Sequence, residues 1–202
     1  MSKKTIINIG RQVGSGGHEI GMEIGRKLGI EVYDNELITK AAEESGFSRQ
    51  LFVKSDEKRS LFSFSSFFTT SGYSLADNYM GENELFNIQS NVIRRIAEKG
   101  SAIFIGRCSD YILRDMECLD VFITAPLEDR IERIARRENI SREAARNVVE
   151  RTDHTRETYY NYFTFGDWGH ASNYDLCIDS HILGIEGTAK LITEIAQKLG
   201  IA

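Results

Sequence analysis

Between Ile9 and Gly21 the chain reads IGRQVGSGGHEIG, and Gly14, Ser15, Gly16 and Gly17 form its glycine-rich centre. An apolar run precedes this stretch and an amphipathic one follows, so the glycines sit where a strand turns into a helix. With few side chains in the way, their N–H groups can converge on one point, and the helix N-terminus adds partial positive charge there. That combination suits a phosphate. Two other readings compete: a plain tight turn, and the glycine fingerprint of a dinucleotide site. The loop-then-helix order directly after the first strand favours phosphate.

The widespread phosphate-binding pattern GxxxxGK[ST] uses its Lys on the phosphates and its hydroxyl on a magnesium ion. Aligned on Gly14-Ser15-Gly16, it places Arg11 at the first Gly, Gly17 at the Lys and His18 at the Ser/Thr. The usual cation and the usual metal-facing hydroxyl are missing from those positions. Arg11 is the candidate replacement cation, reaching in from the start of the loop. Ser15 or Glu19 is the candidate metal-facing group, directly or through water. His18 reads as a cap or solvating group at the helix start, with a base role as the alternative.

Three further groups carry chemistry. Arg107 follows the apolar run AIFI and Gly106, which sets it at the carboxyl edge of a sheet, where a planar guanidinium can grip a phosphate with two donors; a surface ion pair is the alternative. Asp34 ends another short apolar run and reads both as a helix cap and as a substrate-side acceptor. Half of the sixteen Arg lie between Arg130 and Arg156, an interval without Lys. The same interval carries enough Asp and Glu for a salt-bridged solvated face to account for most of them. Arg130, Arg133 and Arg137 share one helix face, as do Val149, Asp153, Arg156 and Tyr160 on the next. YYNYFTFGDW, at 159–168, reads as an anchor for the long helix or as a stacking platform. His154, His170 and His181 lack metal-ligand spacing, which speaks against zinc.

The elements that must position these groups alternate. Strands are expected at Thr5 to Ile9, Glu31 to Tyr33, Ala102 to Ile105, Leu119 to Thr124 and Tyr174 to Ile178. Helices are expected at about His18 to Leu28, Asn35 to Glu44, Glu82 to Glu98, Leu127 to Arg137, Arg142 to Tyr162 and Gly184 to Leu199. Five strands separated by helices predict an α/β fold with a five-stranded parallel sheet and helices on both faces. The stretch Ser60 to Ser74, SLFSFSSFFTTSGYS, breaks the pattern. It reads as a substrate flap, a local hairpin with its own core, or a subunit contact.

With 202 residues, 41% apolar and 27% charged, the chain is long enough for a sizeable core. A net charge of −5 speaks against a globally basic binder of nucleic acid polymers. No apolar run approaches the ~20 residues of a membrane span, and Met1 to Lys4 leads straight into a strand, so neither a signal peptide nor a membrane role is expected. Cys108, Cys118 and Cys177 are odd in number and widely spaced, as suits a reducing, cytoplasmic setting.

Taken in order, GSGG, KLGIEVYDNELI, FIGRCSDYIL, VFITAPLEDRIERI, the stretch around Asp153 and Arg156, and YDLCIDS resemble successive blocks of the cytidylate kinase-like family, within the P-loop nucleoside monophosphate kinases. The resemblance implies one P-loop kinase-like domain over 1–202, with an acceptor-side insertion at 46–82 and an Arg-rich helical lid at 127–163. It implies transfer of the γ-phosphate of ATP, with Mg2+, to a nucleoside monophosphate, CMP or dCMP before UMP. In that role Gly14 to Gly17, His18 and Glu19 face ATP, and Arg11, Arg133 and Arg137 act on the donor phosphates. Asp34, Arg107, Asp153 and Arg156 approach the acceptor. The missing loop Lys keeps two rivals open: a catalytically drifted nucleotide-binding module, and a kinase for a different small acceptor. A third makes 60–74 a homo-oligomer surface of a regulatory subunit.

Overall fold

Isoleucine-rich runs at Ile6–Ile9 and Ala102–Ile105 are buried at every residue, the pattern of strands covered on both faces. The computed structural model describes residues 4–44 and 79–200. In chain order these form β1 (Ile6–Arg11), α1 (Gly17–Leu28), β2 (Val32–Tyr33), α2 (Asn35–Glu44), α3 (Tyr79–Lys99), β3 (Ala102–Ile105), α4 (Ser109–Ile112), β4 (Leu119–Thr124), α5 (Leu127–Glu138), α6 (Arg142–Thr164), β5 (Leu176–Asp179) and α7 (Ser180–Lys198), with a 3-10 turn at Ala171–Asn173 before β5. The expected insertion at 46–82, except the helix start from 79, and the Ser/Phe stretch 60–74 lie outside the described residues.

The five strands are all parallel, in the order β2-β3-β1-β4-β5. The central strand β1 has β3 on one side and β4 on the other, so its carboxyl end opens into the crevice where such sheets bind ligands. On one face Ile7, Ile9, Ile103, Val121 and Ile123 pack against Ile20 and Ile24 of α1 and Ala189 and Ile192 of α7. On the other, Ile6, Ala102 and Phe104 meet Ile38 of α2 and Val92 and Ile93 of α3. A third cluster forms inside the α5–α6 hairpin from Ile131, Ile134, Ala145 and Val149, and Val13 of the glycine-rich loop inserts into it.

The strands fall where expected, with shifts of one or two residues at their ends. α5 begins after Pro126, carries Glu128 and Asp129 in its first turn and Arg136 and Arg137 in its last, matching the helix dipole at both ends. α6 starts from Ser141, whose hydroxyl accepts from the Ala144 N–H at 3.2 Å. The last helix was expected from Gly184; helical turns begin at Ser180, and Gly184, at φ 66° and ψ −179°, breaks them, so the regular helix does run from beyond it.

One polar spot interrupts the second face. Asn8, 1% exposed, donates from its side-chain nitrogen to Asp120 at 2.7 Å. Burial pushes the Asp120 carboxyl up from 3.8 to about 6; the Asn8 bond pulls it down and the Asp110 and Asp175 charges push it up. An acid with a raised folded pKa binds more protons folded than unfolded, so its contribution to stability falls as pH rises from about 4 to 6 and stays lost above. Asp120→Asn is therefore expected to stabilise the protein at pH 7.5 by something on the order of 2 kcal/mol. In thermal melts the gain should vanish near pH 4; an equal gain at both pH values would show that Asp120 ionisation is not its source.

Candidate functional site

The glycine-rich loop is held by its carbonyls. Arg156 of α6 donates to the Arg11 carbonyl at 3.0 Å, Arg130 of α5 to that of Val13 at 3.4 Å, and Arg133 to that of Gly14 at 3.0 Å. With these oxygens drawn toward the hairpin, the loop can present amides on its other side. Gly16 caps α1 in the left-handed region (φ 81°) and offers no side chain to its first-turn amides, the usual setting for an anion. Gly14 (φ 75°) tolerates no side chain: a Cβ there would lie 2.6 Å from the Arg130 carbonyl oxygen.

Arg11 leaves β1 with its stem over Gly17 and its guanidinium against Gly106. Gly106, Arg107 and Cys108 follow β3 with φ values of 75°, 62° and 54°, a left-handed run that costs energy at the two residues with side chains. This run carries Arg107 to Asn35, whose side-chain oxygen accepts from it. Arg11, Arg107 and Arg156 thus lie close enough to perturb one another. Burial first, then repulsion from Arg156 and Arg107, holds the Arg11 guanidinium well below its usual range, with Asp34 in partial compensation. Burial also lowers Arg107. It lowers Arg156 to about 10, a shift that Asp153 opposes and that Arg107 and Arg137 reinforce. Three gathered guanidiniums are the environment a phosphate dianion stabilises.

They line a cavity of about 360 Å³. Arg137 joins them there, with its tip also on Glu138 at 3.0 Å. Aromatic side chains line the same cavity: Tyr159, Tyr160, Trp168 and Tyr174, with Trp168 and Tyr174 packed on Phe122. Among them stands Asp110, which accepts from the Tyr160 hydroxyl at 2.6 Å. Burial pushes this carboxyl up, while the Tyr160 bond and backbone amides at the start of α4 draw it down.

The remaining expected residues are dispersed around this centre. Asp34 caps α2 through the Glu36 and Leu37 amides at 3.0 and 3.1 Å, and His18 approaches its other oxygen at 3.3 Å. Ser15 is fully buried, and its hydroxyl donates back to the Gln12 carbonyl at 2.9 Å; Glu19 is exposed on α1. Asp153 accepts from the Val13 N–H at 2.8 Å and pairs with the buried Arg130, so both of its oxygens are engaged by protein. Arg133 also reaches Ser180, which in turn donates to the Ser15 carbonyl. Asp110, Asn35 and Tyr174 were not singled out from the sequence, although Asp110 lies only three residues beyond Arg107.

A model of the cytidylate kinase-like family matches residues 6–182. The cytidylate kinase of Methanopyrus kandleri is 27% identical over 189 residues, covering 89% of this chain and 86% of that protein. The cytidylate kinase of Pyrococcus horikoshii is 26% identical over 194 residues, covering 94% and 86%. Among solved structures, an uncharacterized protein from Eubacterium ventriosum superposes with a TM-score of 0.74 at 24% identity, covering 96% of this chain and 99% of that one. Shikimate kinase from Acinetobacter baumannii, in complex with shikimate, gives 0.52 at 14% identity, covering 98% and 94%. The five-stranded parallel sheet, with its loop and flanking helices, has the α/β fold of the P-loop kinases, and the chain belongs to the cytidylate kinase-like family.

Proposed function

We propose that the protein transfers the γ-phosphate of ATP to a nucleoside monophosphate, CMP or dCMP, a choice supported for CMP by its cytidylate kinase relatives. The observation that carries this reading is the cluster of Arg11, Arg107 and Arg156 at the carboxyl edge of the sheet, beside a glycine-rich loop. In such a transfer an acceptor phosphate oxygen forms a bond to the γ-phosphorus as the bond to the ADP oxygen breaks. The protein's task is to align the two phosphates and offset their charge. The loop amides and the α1 N-terminus receive the donor. Arg107 and Arg156 hold the acceptor phosphate, and Arg11, which reaches their cluster from the loop's first position, sits between the two. The α5–α6 hairpin acts as the lid that excludes water.

Among the described residues no group of three His, Cys, Asp or Glu could cage a metal ion. Mg2+ is commonly bound by substrate phosphates, its own waters and one or two carboxylates. Glu19, exposed in the first turn of α1, is the carboxylate that would hold it, since the Ser15 hydroxyl is turned into the loop. When bound, Mg2+ would supply charge neutralisation on the donor phosphates.

The test is ADP release by purified protein with Mg2+, ATP and a panel of CMP, dCMP, UMP and AMP, for the wild type and Arg11→Ala. Steady turnover with one monophosphate and a loss of about 100-fold in Arg11→Ala are expected. Unchanged affinity and turnover in the variant would remove Arg11 from the mechanism. Nucleotide binding without turnover by the wild type would favour a binding module instead. A second reading, phosphotransfer to a different small acceptor, is favoured by Asp153, whose oxygens are occupied by Val13 and Arg130.

A further inference from the structure

The cavity lining combines two kinds of group. Arg11, Arg107 and Arg156 make it strongly cationic. Trp168 and Tyr174 line it too, together with the carboxyl group of Asp110. The cavity's other lining acid, Glu138, is paired with Arg137. Asp110 is fixed from two directions, by the Tyr160 hydroxyl of α6 and by the backbone at the start of its own helix. A carboxyl group's two oxygens have roughly four acceptor positions, so the Tyr160 hydroxyl and the Asp110 and Tyr111 amides leave Asp110 capacity for a further partner. An acceptor group beside aromatic rings, in the same cavity as gathered guanidiniums, selects for a hydrogen-bond donor on a ring.

We infer that Asp110 is a specificity-determining residue: its carboxylate accepts a hydrogen bond from a hydroxyl or amino group on the ring-bearing part of a phosphate monoester whose phosphate lies among Arg11, Arg107 and Arg156. The inference rests on the acceptor cavity proposed above and assigns it a second contact.

Trp168 is the chain's one tryptophan and lines the cavity, so its fluorescence reports occupancy directly. Wild type and Asp110→Asn are titrated with CMP, dCMP, UMP, ribose 5-phosphate and inorganic phosphate. The variant is expected to bind the donor-bearing monoester about 10-fold more weakly, and inorganic phosphate within about 2-fold of the wild type. The arms separate the two sources of the donor. If it is the sugar hydroxyl, the wild-type preference for CMP over dCMP collapses in the variant; if it is the base amine, the preference for CMP over UMP does.

An equal loss with every ligand, phosphate included, would make Asp110 a structural residue and overturn the inference. So would unchanged binding of all of them, or no response of the wild type to any at millimolar concentration. Tyr160→Phe, which removes one support of Asp110 and leaves its charge, should give the same ligand pattern at smaller amplitude; it decides the matter if Asp110→Asn does not fold. Binding that follows this pattern without ADP release in the kinase assay would sink the phosphotransfer reading and leave the Asp110 contact standing.

Discussion

Gly17→Lys, which writes the common loop lysine back into its usual place, is expected to damage the site it would repair. A Cβ on Gly17 would lie 2.6 Å from the Arg11 Cβ and 3.0 Å from its Cγ, closer than side-chain carbons approach. Either the Arg11 stem must leave its groove or the start of α1 must shift, and overpacking of this kind costs about 1–3 kcal/mol. The melting temperature should fall by roughly 3–8 °C, and turnover by about 100-fold as Arg11 is displaced. The double variant Arg11→Gly/Gly17→Lys relieves the contact and carries the cation on the other position. It should recover the melting temperature and part of the turnover, a strong departure from additivity. A single Gly17→Lys as active as the wild type, or a double variant no better than the single, would show that the two positions are independent. Arg11 and Gly17 thus form one steric unit, and a large side chain fits at only one of them.

Asp153→Ala carries the largest expected loss of stability. Arg130, 8% exposed, pairs with Asp153 and otherwise meets the Ala125 and Val13 carbonyls. Removing the carboxylate leaves a buried cation without its counter-charge and the Val13 N–H without its acceptor. Losses of about 3–5 kcal/mol are usual for such a deletion, and would lower the melting temperature by roughly 10 °C. Asp153→Asn keeps an acceptor for Val13 and should fall between the two. The readout that separates this role from acceptor contact is the pairing of melts with the acceptor KM. A raised KM at an unchanged melting temperature would return Asp153 to the acceptor.

Much of this was legible beforehand, for identifiable reasons. Apolar β-branched runs and helical periodicity are local signals, and they located β3 and β4 to the residue. Arg11, Gly17 and Arg107 could be singled out because each departs from or follows a short pattern. The partners of Asp153 were hidden by distance: Val13 is 140 residues away and Arg130 is 23. Asp110 was hidden by conformation. The left-handed run at Gly106, Arg107 and Cys108 has no signal in its two non-glycine residues, and the helix it launches is four residues long, below what periodicity can detect. The grip of Arg130, Arg133 and Arg156 on the loop carbonyls was masked by the acids among them, which made an exposed ionic face the economical reading of the segment.

That grip, together with Val13 seated among Ile131, Ile134, Ala145 and Val149, has a consequence for how the molecule opens. A loop of glycines would ordinarily be among the first parts of a protein to fluctuate free, at little cost. Here residues 11–14 cannot leave their positions without pulling an apolar side chain out of a helical hairpin and breaking ties to buried or half-buried arginines. Loop and hairpin therefore share one local unfolding event, and the glycine segment inherits the resistance to opening of the helices clasping it. Part of the ordering entropy that a flexible phosphate loop would surrender on binding is already surrendered on folding.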